Sequence, residues 1–191
     1  IIYIFNMHSP YYFIVKPHGL EYNNEIEIAG QKVIVNSTVE NHKHVNRFAE
    51  VVHVPKRYTG RISKGDLIIV HHNIFRIYYD MRGRPKKSPN YFKEGLYFID
   101  EDQFYLSHNG DKWNSVGDYC FVKPLDIENS YLYEEGLEDN TGFLVYSNNT
   151  LLDLGVNEGD KVNFRKDSEY EFEVDGNLLY RMKSSDICTV L

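Results

Sequence analysis

No apolar stretch in these 191 residues approaches the 18 or so needed to cross a bilayer as a helix, so no transmembrane segment is expected. The opening run Ile1–Phe5 is too short for the apolar core of a signal peptide and has no cleavage site behind it. The chain does not begin with Met, which makes Met7 a candidate natural start and Ile1–Asn6 an extension. Basic residues are also in deficit, 21 Lys and Arg against 28 Asp and Glu, for a net charge of −7 and a pI near 5.6. That balance argues against a general nucleic-acid binder, which needs a basic face to displace counterions from phosphates. Cysteine is scarce. Cys120 and Cys188 both sit in apolar, strand-like runs and read as two buried, reduced thiols of a cytosolic protein, with a disulfide as the alternative.

Catalytic signatures are missing too. There is no GxxxxGK[ST] loop to cradle a nucleotide's phosphates, no Gly-x-Ser-x-Gly elbow and no Cys/His nucleophile context. The histidines crowd the first half, with His42-x-His44 and the adjacent His71-His72, but no further ligands stand at zinc-site spacing. If His71 and His72 end a strand, their rings point to opposite faces. The chain is therefore not expected to be an enzyme or to carry a metal or cofactor. Nor does any segment hold a 3.6-residue apolar period, so helix content should be low.

What is abundant is aromatic: 16 Tyr and 11 Phe, with few alanines, a composition suited to pleated, half-buried strands. The chain also says nearly the same thing twice. Tyr12–Pro17 reads YFIVKP and Tyr119–Pro124 reads YCFVKP; Lys64–Val70 reads KGDLIIV and Glu158–Phe164 reads EGDKVNF. Leu96–Leu106 (LYFIDEDQFYL) is matched by Leu178–Val190 (LLYRMKSSDICTV). Three matched segments in one order imply two copies of a small unit. The boundaries read as residues 8–109 and 118–191, joined by a linker over 110–117. Glu169–Val174 alternates charge with apolar side chains, and Asp175-Gly176 follows as a hairpin turn. Ile74–Tyr79 also reads as a strand.

The copies differ in two intervals. Pro17 and Gly65 are 48 positions apart, whereas Pro124 and Gly159 are 35 apart; Gly65 to Leu96 spans 31 positions against 20 from Gly159 to Leu179. The first copy thus carries additions around His18–Asn46 and around the basic Met81–Phe92, MRGRPKKSPNYF. The basic stretch reads as a solvated loop, or as one that faces an acidic cavity or a neighbouring chain.

The run EGDKVNF…EFEVDGNLLYRMKSSDICTVL over Glu158–Leu191 resembles the C-terminal half of GroES-type co-chaperonins. Its Gly-Asp turn before an apolar strand, its Leu-Tyr-x-Met stretch and Ser185-Asp186-Ile187 carry the likeness. Tyr119–Pro124 is similar to that family's first strand and Gly142–Ser147 to its second. The first copy follows the same plan more loosely through Phe13–Lys16, Phe48–Val54, Gly65–Val70 and Leu96–Leu106. The resemblance covers nearly all the chain outside the additions and the linker, and the tandem arrangement also resembles the fused, double-domain co-chaperonins of plastids and some viruses.

It implies an all-β fold of two tandem GroES-like irregular β-barrels, a homo-oligomeric ring, and a GroEL-type chaperonin as partner. In such rings the last strand of one subunit pairs with the first of the next. Carried over, Phe104–Leu106 would pair with Cys120–Val122 within a chain. Ile187, Cys188, Thr189 and Val190 would then meet Phe13, Ile14 and Val15 of the neighbour. The family docks through an aliphatic tripeptide on a loop after its first strand, and the matching residues here are Val33, Ile34 and Val35. Burying three such side chains gives about 5–8 kcal/mol, while ordering each loop residue costs about 1–2 kcal/mol. A ring of weak loops gains affinity through effective concentration.

The same interval reads equally as a β-hairpin, Ile26–Ile28 and Lys32–Val35 about Ala29-Gly30, and the two readings are compatible. In the second copy Tyr131, Leu132 and Tyr133 are a candidate second docking loop, although a surface loop packing on its own barrel is favoured there. The family's roof hairpin has only Lys56–Ser63 and Asn148–Asn157 to draw on, so any dome would be open. The implied function is a non-catalytic lid that caps a chaperonin in the cytoplasm, the host's if the source is viral, without binding nucleotide or membrane. The rival is a ring-forming β-barrel structural or assembly protein, virion-associated or not, that binds no chaperonin. A dehydrogenase's GroES-like domain fails for want of a dinucleotide-binding half.

Overall fold

The computed structural model describes residues 9–22, 45–125 and 140–191, and the backbone of 25–28 and 31–34. The fold is all-β. Among the described residues the one α-helix is α1, Asn149–Asp153, and no helix is long and apolar enough to cross a membrane. The chain divides into two compact units, Ile1–Lys112 and Trp113–Leu191.

In the first unit, β1 (Phe13–Pro17) is followed by the paired strands β2 (Glu25–Ile28) and β3 (Gln31–Ile34), then β4 (Phe48–His53) and β5 (Leu67–Val70). Two short strands, β6 (Tyr78–Tyr79) and β7 (Pro85–Lys86), pair with each other, and β8 (Tyr91–Lys93), β9 (Leu96–Ile99) and β10 (Phe104–His108) complete the unit. Its main ladders run β10-β5-β4-β1-β9-β8, all antiparallel. The second unit holds β11 (Trp113–Ser115), β12 (Tyr119–Pro124), β13 (Thr141–Tyr146), β14 (Lys161–Phe164), β15 (Tyr170–Val174), β16 (Asn177–Lys183) and β17 (Ile187–Val190). Its ladders run β17-β14-β13-β12-β16-β15. Element for element, the two orders coincide.

The coincidence extends to hydrogen bonds. In the first unit the amide of Ser63 donates to Asp66 Oδ2 at 2.9 Å, Gly65 N to Val51 O at 2.8 Å and Val51 N to Asp66 O at 2.9 Å. In the second, Asn157 N donates to Asp160 Oδ2 at 2.7 Å, Gly159 N to Leu144 O at 2.7 Å and Leu144 N to Asp160 O at 2.9 Å. Gly65 and Gly159 share φ of 95°, a left-handed value that glycine adopts freely, which explains the Gly-Asp pair in the sequence. The two units share a second turn. Glu94-Gly95 has φ of 50° and 74°, the same values as Asp175-Gly176, and each pair joins a two-residue hairpin of the primed type.

Both cores are built from strand alternation. In β15, Phe172 and Val174 point inward and Glu171 and Glu173 outward, the period-two pattern of the sequence. Phe13 stands edge-to-face with Phe104 at 5.2 Å and with Tyr58 at 4.9 Å, and Val15, Val51 and Ile68 of the same unit are fully buried. In the second unit Cys120, Val122, Leu144, Leu151, Val162, Phe164 and Met182 form one cluster.

Several expectations are corrected. Residues 113–115 of the anticipated linker form β11, because the Trp113 indole is buried and donates to Asp175 Oδ2 at 2.9 Å. Ile74–Tyr79 is not one strand: a 3-10 turn covers His72–Ile74, with His71 Nδ1 accepting the Asn73 amide at 3.1 Å. That bend places the rings of His71 and His72 on the same side, stacked with centroids 4.2 Å apart. Cys188 is exposed and Cys120 buried, and both are free thiols, so neither the buried pair nor the disulfide is present. Lys56–Ser63 contains no strand, and Asn148–Asn157 holds α1, capped by Asn148 Oδ1 on the Leu151 amide at 3.0 Å.

Candidate docking hairpin and its base

The interval singled out for docking contains a hairpin. Glu25 pairs with Ile34, Ile26 with Val33, Glu27 with Lys32 and Ile28 with Gln31, so β2 and β3 are joined through residues 29–30. Val33 and Ile34 lie on β3, while Val35 falls outside the described residues. So do Tyr131, Leu132 and Tyr133.

The base from which this interval leaves the unit is heavily bonded. Asn46, 3% exposed, donates from Nδ2 to the carbonyls of His18 (2.9 Å) and Leu20 (2.7 Å), and its Oδ1 accepts the Phe48 amide at 2.9 Å. Its own amide donates to Glu21 O at 2.9 Å, and an antiparallel bridge joins Tyr22 to Val45. A single side chain thus closes the two ends of a long excursion on each other. Buried main-chain groups need such partners wherever the sheet ladder stops.

Glu21 reaches further. Its carboxylate accepts the Tyr97 hydroxyl at 2.8 Å and pairs with Lys87, whose ammonium also lies over the Tyr91 ring at 5.9 Å. Tyr97 is fully buried on β9 and stacks edge-to-face on Phe75 at 4.9 Å. Burial and then the adjacent Glu21 push its phenol well above the usual tyrosine range. Tyr22 Oη accepts the Ile77 amide at 2.7 Å, and burial pushes this phenol up as well. Lys87 belongs to the second addition. The two stretches that distinguish the first copy therefore meet.

Nothing in the sequence pairs Glu21 with residues 66 and 76 positions away, and Asn46 is one of many polar residues in NSTVENHKHVN. The second addition is itself ordered: β6 and β7 form a hairpin whose turn is bound by Asp80, and its basic residues are exposed to solvent.

The expected ring edges are placed differently. Phe13, Ile14 and Val15 are buried on β1, which pairs with β4 on one side and β9 on the other. No edge is left there for a neighbour's strand to add to, so that half of the expected interface is corrected. Cys120–Val122 is likewise flanked by β13 and β16, which removes it as a partner for Phe104–Leu106. Ile187, Cys188, Thr189 and Val190 do lie on an end strand. β17 pairs with β14, and among the described residues no second strand borders it. Groups of three or more His, Cys, Asp or Glu able to hold a metal ion do not occur among the described residues. No protein-family model matches the chain, and a comparison with curated proteins also finds no match.

Proposed function

We propose that this chain is a GroES-type co-chaperonin of tandem, double-domain form, a lid that caps a GroEL-type chaperonin and assists ATP-dependent folding without binding nucleotide itself. The observation that carries the reading is a hairpin set between β1 and β4 in the first of two units of equal strand order. The β2–β3 hairpin, with Val33 and Ile34 on β3, belongs to the first unit, leaves it through a base closed by Asn46, and sits at the position where this family docks. The coincident ladders and Gly-Asp turns support descent of both units from one barrel-forming ancestor.

In this reading Val33, Ile34 and Val35 enter an apolar groove of the chaperonin, and tethering in a homo-oligomeric ring turns weak single contacts into a firm but reversible cap. The exposed strand β17 supplies one ring edge, since an unpaired strand edge invites another strand. The work takes place in the cytoplasm, of the host cell if the gene is viral.

Size-exclusion chromatography of the chain with a chaperonin and ATP tests this. Co-elution that is lost in Val33→Ser/Ile34→Ser is the expected result. A chain that assembles with itself yet ignores the chaperonin under every nucleotide points instead to a structural β-barrel.

A further inference from the structure

The two hairpins β2–β3 and β6–β7 of the first unit share one base. Tyr22, three residues before β2, receives the amide of Ile77, one residue before β6, at 2.7 Å. Glu21 pairs with Lys87, the residue directly after β7. Each hairpin is thus tied to the other where it leaves the unit.

The β6–β7 hairpin is also held from within. Asp80 Oδ1 accepts the amides of Arg82 and Arg84, both at 2.9 Å, and Oδ2 accepts Arg84 Nε at 2.8 Å. These bonds, the Arg84 amide first, keep the Asp80 carboxyl below its usual range. The same bonds fix the turn that presents Met81, Arg82, Arg84 and Lys86, all exposed. Arg82, Arg84, Lys86 and Lys87 against Asp80 and Glu21 leave a local charge of +2 on a chain of −7. The β2–β3 hairpin, tied to this cationic prong at its base, carries Ile26, Ile28, Val33 and Ile34 in its sequence.

We infer that the β2–β3 and β6–β7 hairpins act as one composite docking element, which takes a protein partner whose apolar groove is bordered by carboxylates. The inference rests on the docking role proposed above and adds the chemistry of the partner's rim. Aliphatic residues supply burial, and the cations beside them orient the encounter and reject grooves with basic borders. A nucleic acid fits poorly, because two net charges release few counterions from a phosphate backbone and the rest of the chain repels it.

The test uses the full chain, a GroEL-type chaperonin and ATP, with affinity measured at low and at high salt. Arg82→Glu/Lys86→Glu should bind about three- to thirty-fold more weakly at low salt, the range for two exposed charge pairs, and should approach wild type at high salt. Val33→Ser/Ile34→Ser should fail at both. If Arg82→Glu/Lys86→Glu keeps wild-type affinity and salt slope, the composite element is refuted while the docking proposal stands. If wild type binds no chaperonin, the docking proposal falls, and the composite is judged without a partner. Hydrogen exchange in Glu21→Gln/Lys87→Met should then rise about five- to tenfold in residues 25–34 and 78–86 together. A rise confined to one hairpin overturns the inference.

Discussion

Replacing Asn46 by Ala should loosen the first unit more than any single substitution on its surface. The side chain makes three hydrogen bonds, to His18 O, Leu20 O and the Phe48 amide, at 2.7–2.9 Å, from a residue 3% exposed. Each such bond contributes about 0.5–1.5 kcal/mol net. Truncation leaves two carbonyls and one amide to be satisfied by whatever water can enter, so the expected loss is about 2–4 kcal/mol. For a domain whose whole stability is about 5–15 kcal/mol, that is a large fraction. Urea denaturation followed by circular dichroism measures the global loss. Hydrogen exchange over residues 18–22 and 45–53 locates it. Lys16→Ala is the control, since it removes only an exposed ion pair with Glu50 (3.0 Å) worth at most about 1 kcal/mol. Asn46→Asp keeps the acceptor for Phe48 but sets an anion beside two carbonyls, so its deficit should grow as pH rises through the carboxylate range. An Asn46→Ala protein within about 0.5 kcal/mol of wild type, with unchanged exchange at the base, would refute the reasoning.

Four further outcomes follow from particular residues. Asp175→Ala should cost about 1.5–3 kcal/mol, by losing the Trp113 Nε1 bond and by placing Ala at φ of 50°, while Asp175→Asn keeps both features and stays within about 1 kcal/mol. Trp113 is the sole tryptophan, so its fluorescence during denaturation reads this directly. Gly142→Ala should cost about 1–3 kcal/mol, because a Cβ there would come within 2.5 Å of the Lys123 carbonyl oxygen, whereas the matching position in the first unit, opposite Pro17, is Ala49 and is accommodated. Burial pushes the Cys120 thiol up to about 12, so between the ordinary thiol range and pH 12 the folded state holds a proton that the unfolded state has lost. Between about pH 9 and 10, below the range in which the buried phenols add their own loss, stability should therefore fall by up to about 1.4 kcal/mol per pH unit, and Cys120→Val should flatten that slope. In the native protein a thiol reagent at pH 8 should modify Cys188 alone, which equal labelling of both cysteines would contradict.

Much of the fold could be read from the chain because its signals are local. A left-handed φ at Gly65 and Gly159, an aspartate that closes the turn before it, and the alternation of Glu171 to Val174 each concern a few consecutive residues. The hairpin over residues 25–34 was legible for the same reason. Glu94-Gly95 was missed because its flanking strand β8 is only three residues long and gives no alternation to notice. Around Trp113 the glycines dominate the local composition and give a linker's signal, while its partner Asp175 is 62 positions away.

The sequence by itself determined that the protein is all-β, that its second half follows the strand plan of its first, and that the first half carries two additions. Only the tertiary structure decided what those additions do to each other. Glu21, Asn46, Tyr97 and Lys87 gain their meaning from separations of tens of residues, which no spacing rule encodes. The strand edges were decided there as well: whether Phe13–Val15 is open to another chain depends on β4 and β9 lying on either side of it, and adjacency of strands is a property of the sheet, not of the strand.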